Sequence, residues 1–236
     1  MSTSTSTTSL ATAGSVTRAP LARRLRRYTA GVALALFPAL LAVEAPIDPA
    51  GDGTGDMMYT AATEHEGALA LSAALLFVSG ILMIPAVMAI LHQARDRGSA
   101  LANTGAVLGV LGGLGHVAIA MFYLFALALP GGDQAQMVSY VERVNSSAAG
   151  AVAFPLILCF ALGVLVLGWA AWRAGLVGWW GPVAVTVAVL VAEVLPAGAP
   201  ALQVGANVLA TVVFGFLGVR VIRMTDTDWD GVRPSA

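Results

Sequence analysis

The chain has 236 residues, of which 58% are hydrophobic and 11% charged, with a net charge of −1 and a mean hydropathy of +0.83. A soluble domain cannot hide that much apolar side chain beneath a charged exterior, so the composition excludes soluble classes and implies an all-α, polytopic transmembrane bundle. The small net charge conceals an asymmetry: there is no lysine, and the 12 arginines fall into a few short segments.

Residues 1–27 read as a disordered basic arm, rich in Ser, Thr and Ala, with Arg18, Arg23, Arg24, Arg26 and Arg27 at its end. The apolar run 28–43 follows. A basic stretch before an apolar run also opens a signal peptide, but a cut after Val-Glu-Ala would place Pro46 next to it, so an uncleaved first span is expected. Residues 44–66 form an acidic loop. Further spans are expected at 67–91, 101–129, 148–172, 181–195 and 201–221, with Pro155 bending the fourth. The six spans make one domain, 28–222, and 223–236 form a tail.

Orientation follows from arginine placement. The N-terminal arm, the turn around Arg95 and Arg97, the turn at Arg173 and the tail hold every arginine except Arg143. These segments alternate correctly to share one side of a six-span bundle. The positive-inside rule makes that side cytoplasmic, with both termini inside and the protein multi-pass in the cell membrane. The arginines also attract anionic lipid, and no nucleic-acid partner is implied.

The third span carries the most informative pattern. Gly105, Gly109, Gly112, His116 and Tyr123 fall on one helical stripe. Small residues let a neighbouring helix approach closely, so the stripe should face protein and His116 should point into the bundle. A weak internal repeat relates Phe77-Val-Ser-Gly80 to Phe160-Ala-Leu-Gly163. His116 then lies 19 residues after Arg97 and Glu193 lies 20 after Arg173, which sets two ionisable groups at one depth. At about 1.5 Å per residue, each is roughly 20 Å from the cytoplasmic end of its helix and in the outer half of the bilayer.

An ionisable side chain at that depth needs a partner or a wet cavity. His116, Glu193, Glu66, Asn207 and Tyr123 are therefore the ligand or proton-relay candidates. Gln203, Asn207, Thr211, Gly215 and Gly218 form a stripe on the last span, and His65, Ser72 and Ser79 form another on the second. Both descend from the acidic side and suggest a polar cavity opening outward. The plainer reading takes Ser72, Ser79 and Thr211 as interhelical glue. Glu44, His65 and Glu66 could join His116 and Glu193 in a mixed metal site, but no ligand spacing such as HExxH is present, and no metal or other cofactor is implied. The three histidines stand at different levels, which disfavours a bis-histidine haem. No Walker loop, dinucleotide fingerprint or nucleophile elbow occurs, and no catalytic set is assigned.

The Ala-Arg-Asp-Arg-Gly and Trp-Arg-Ala-Gly turns, each followed by a further span, resemble uncharacterised six-span integral membrane proteins common in actinobacteria. That resemblance implies the bundle and no activity. The expected function is binding or moving a small lipophilic ligand through the outward cavity, with a homo-oligomer as the transport form. The alternatives are a membrane-embedded enzyme using a buried glutamate as acid, like small terpene cyclases with Glu193 or Glu66 in that role, and a structural or partner-binding subunit.

Overall fold

The computed structural model describes residues 20–51, 53–128, 133–194 and 200–230; at 20, 149, 193, 194 and 200 it describes the backbone alone. The chain is helical: α1 (Pro20–Glu44), α2 (Gly55–Glu64), α3 (Glu66–Gln93), α4 (Ser99–Leu127), α5 (Gln134–Asn145), α6 (Ala148–Arg173), α7 (Trp180–Val194), α8 (Pro200–Arg223) and α9 (Asp226–Asp230). Five of these, α1, α3, α4, α6 and α8, are long and apolar enough to cross a membrane. The shorter α7 has 15 residues, or about 22 Å of helix against about 30 Å of hydrocarbon.

The bundle is a chain of neighbours. Helix α1 packs between α3 and α8, α4 packs between α3 and α6, and α7 returns beside α6 and α8. The expected α4 stripe is buried in full, from Gly105 to Tyr123. Its glycines serve two partners. A Cβ on Gly112 would collide with the Phe160 backbone of α6, and one on Gly105 would meet Leu167 at 3.0 Å, while one on Gly113 would lie 2.7 Å from the Gly80 carbonyl of α3. The repeated glycines make the same kind of close approach. A Cβ on Gly80 would lie 2.5 Å from Gly113 O, and one on Gly163 would lie 2.6 Å from Gly109 N. Close packing on α4 thus accounts for that much of the sequence similarity. The paired phenylalanines differ, since Phe160 contacts His116 and Phe77 is exposed.

The two glycine turns work by backbone conformation. Gly175 has φ +75° and closes α6 in a Schellman motif, with Leu176 N–H donating to Ala171 O at 2.9 Å and Gly175 N–H to Trp172 O at 2.9 Å. Gly98 has φ +88°, and a Cβ there would meet Arg173 at 2.9 Å. Both positions favour glycine on steric grounds.

The arginine-bearing ends assemble together. Arg27 of α1 pairs with Asp226 at 2.6 Å and Arg23 with Asp230 at 3.0 Å. Arg95 donates to the Asp230 carbonyl, His92 Nε2 donates to Trp229 O at 2.8 Å, and Arg220 donates to Leu176 O at 2.8 Å. The tail is therefore no free extension up to residue 230: α9 docks on this end through buried Trp229. Likewise residues 20–27, expected within the arm, are helical and begin α1. The remainder of the arm lies outside the described residues.

The opposite end is also more ordered than expected. The loops 44–66 and 130–147 contain α2 and α5. Met58, Ala61 and Ala62 of α2 and Met137 and Val141 of α5 join Leu41, Leu69, Ala120 and Tyr123 in a second core. These are i, i+3/i+4 apolar sets on otherwise polar helices, enough to bury one face. Asp133 caps α5, accepting from Ala135 N–H at 3.2 Å. The two helices are pinned where Asn145 Nδ2 donates to Gly53 O at 3.2 Å.

Candidate functional site

A cavity of about 510 Å³ opens within the bundle toward the end that carries α2 and α5. Its walls come from α1, α3, α4, α6, α7 and α8, and most are apolar, including Phe37, Leu41, Leu76, Ile119, Ile157 and Phe160. The ionisable side chains on its described surface are Glu44, Asp48 and His116, joined by the amides Gln203 and Asn207. This mixture of apolar wall and few polar groups is the usual composition of a small-molecule site.

Glu44, Asp48, His116 and Asn207 are each held by a hydrogen bond within the protein. Glu44 ends α1 and is 8% exposed; its Oε1 accepts from Ser72 Oγ of α3 at 2.6 Å. Asp48 sits in the turn after α1, where Oδ1 accepts from Ala50 N–H at 3.0 Å and Oδ2 from the Tyr123 hydroxyl of α4 at 3.0 Å. His116 is buried against Phe160, with ring centroids 4.1 Å apart. Its Nδ1 donates to Gly112 O at 3.1 Å, since a carbonyl can only accept. Asn207 Nδ2 donates to Leu41 O at 3.3 Å.

The sequence candidates separate on this geometry. His116 and Asn207 line the cavity, and Tyr123 supports it from behind by orienting Asp48. Glu66 does not belong: it is exposed in the first turn of α3, because the chain turns at His65 and leaves the residue on the surface. Glu193 follows the lining residue Ala192 in α7, and its side chain lies outside the described residues. Of the mixed metal set, Glu44 and His116 reach the cavity while His65 and Glu66 are exposed. Ser79 joins two helices as expected, donating to Phe37 O at 2.9 Å, whereas Thr211, expected to do the same, bonds within α8 to Asn207 O at 2.7 Å. Ser72 holds the carboxylate of Glu44, which the sequence places only beside the outer loop. The available signal was a glutamate closing the first apolar run directly, before any turn residue.

A larger concavity of about 660 Å³ lies at the arginine end, bordered by His92, Arg95, Asp96, Arg220, Arg223 and Asp228. Its charges are mixed. Arg95 and Arg220 already donate to the protein carbonyls of Asp230 and Leu176. It is a groove between the ends of α3 and α8, the turn after α6 and the docked α9, and the inner cavity is the better site.

Burial raises the Asp48 carboxyl above its ordinary range, and its bonds from Ala50 and Tyr123 offset part of that rise. A carboxyl held up in the folded state binds more protons there than when unfolded. Its contribution to stability is therefore greatest at low pH and is lost as pH rises through the folded value. The melting temperature of wild type should fall relative to that of Asp48→Asn as pH is raised upward from 4, measured by intrinsic fluorescence in detergent. A constant difference between the two proteins would contradict this.

Comparison with protein-family models, with curated proteins and with solved structures finds no match to this chain.

Proposed function

We propose that this is a multi-pass protein of the cell membrane that binds or moves a small lipophilic ligand through the cavity beside His116. The observation that carries the reading is a cavity of about 510 Å³ with apolar walls and a few buried, individually oriented polar groups. In this reading α7 makes a sixth crossing, because α6 and α8 both end among the arginines and the chain has to return between them. Both termini are cytoplasmic by the positive-inside rule, so the cavity faces outward. Glu193, which follows the lining residue Ala192 in sequence, is kept as a further candidate for the site, and a homodimer is the form that would transport.

The packing disfavours a purely structural subunit, since the glycines of α4 are consumed by α3 and α6 within the chain. A membrane enzyme stays as the second reading because Glu44 stands in an apolar cavity; it would replace Glu66 as the candidate acid. Binding and catalysis separate on turnover of an added isoprenoid.

The test uses 1-adamantanol, a rigid apolar cage, titrated calorimetrically into the purified protein with empty micelles as blank. Saturable binding is expected in wild type. Ala210→Trp, which fills the cavity from α8, should lose it while keeping wild-type elution and melting. Equal heats from wild type and empty micelles would overturn the reading.

A further inference from the structure

The donors around the cavity are largely spent on the protein itself. Ser72 O–H goes to Glu44, Tyr123 O–H to Asp48, Asn207 Nδ2 to Leu41 O and His116 Nδ1 to Gly112 O. What remains on these groups is mostly acceptors, with one N–H of Asn207 besides. Glu44 Oε2, Asn207 Oδ1 and His116 Nε2 have no hydrogen-bond partner among the described residues, and Glu44 and His116 are 8% and 9% exposed. With Nδ1 carrying the proton, Nε2 of the neutral imidazole is a lone-pair acceptor. Gln203 has no hydrogen-bond partner among the described residues, but it is exposed at the rim.

Among the described residues only Arg27 Nε is both buried and unpartnered, so these three acceptors keep accessible surface, and an occupant that covers them has to supply donors. Two carboxylates on the wall with no arginine among them repel an anion and attract a cation. A bare metal ion is a poorer fit, because no three His, Cys, Asp or Glu side chains converge among the described residues. The apolar bulk of the wall demands an organic body.

We propose that the cavity recognises a protonated amine with an apolar body, its N–H groups meeting Glu44, His116 Nε2 and Asn207 Oδ1. This rests on the cavity being a ligand site and adds the chemical class of the ligand. Asp48 supplies a second negative charge near the mouth, held in place by Tyr123.

Three cage compounds of nearly equal shape test the class: 1-adamantylamine, 1-adamantanol and adamantane-1-carboxylate. Each is titrated calorimetrically at pH 8 into the full-length protein in micelles, against empty micelles. The amine should bind at least about tenfold more tightly than the alcohol, a difference of about 1.4 kcal/mol, and the carboxylate should give no saturable heat. The double variant Glu44→Gln, Asp48→Asn should lose the preference for the amine while still binding the alcohol. If wild type binds all three alike, prefers the carboxylate, or keeps its preference in the double variant, the ammonium assignment is wrong while the cavity remains a ligand site. If none of the three binds, the cavity reading itself fails. The wild-type comparison depends on no variant, so poor folding of the double variant leaves it decisive.

Discussion

Gly112→Leu should prevent the bundle from assembling, with little or no monodisperse protein recovered after extraction. Any Cβ at position 112 collides with the backbone of Phe160 in α6. Backbone cannot rotate away as a flexible side chain can, so α6 has to move off as a body. Even Gly112→Ala should cost about 1–3 kcal/mol by overpacking. Leucine adds three heavy atoms to the same clash. The contact also carries the site, since Gly112 O orients His116 and Phe160 lies against its ring. Gly112→Ala should therefore lose adamantanol binding before it loses all folded protein. Gly215→Ala is the matched control: a Cβ there meets nothing within 4 Å. It should be neutral or stabilise α8 by up to about 1 kcal/mol. Similar melting temperatures for Gly112→Ala and Gly215→Ala would show that the α4–α6 approach is looser than described.

Asp226→Ala should release α9 from the arginine end. Arg27 has a side chain only 8% exposed and pairs with Asp226 at 2.6 Å, while Arg24 reaches the same carboxylate at 3.7 Å. Nε of Arg27 already lacks a partner, so Asp226 supplies the main compensation for a buried charge, with the Tyr28 ring face 5.5 Å away. Removing one member of a buried pair leaves the other charge uncompensated and costs about 3–5 kcal/mol. Asp226 is itself a third exposed, so water compensates in part and about 2–3 kcal/mol is the reasonable expectation. Amide hydrogen exchange across α9 should accelerate and the melting temperature should drop. Asp96→Ala, at an exposed position, should stay within about 0.5 kcal/mol of wild type. Unchanged exchange in Asp226→Ala would mean that Trp229 and the Arg23–Asp230 pair hold α9 without the Arg27 contact.

The long apolar helices α3, α4, α6 and α8 could be read to within a few residues, because membrane solubility demands a long, continuous apolar run and that is a local property. Burial of the α4 stripe was equally legible, since it follows from helical period and residue size. Helices α2 and α5 were not. Their apolar sets are short and lie in polar surroundings, where only the second core gives them something to bury. The docking of α9 depends on arginines about 200 residues earlier, with Arg27 and Asp226 separated by 199 positions.

Length, hydropathy and helical period are enough to establish a bundle of membrane-length helices with a histidine turned inward. Each of these properties is written along one helix at a time. Which acids share the cavity with His116 emerges only when the helices are packed. Glu44 meets Ser72 across 28 residues and Asp48 meets Tyr123 across 75. Such pairs depend on how neighbouring helices are rotated and how far one slides along another. That relative placement comes from side-chain packing between helices, and no periodicity within a single helix encodes it.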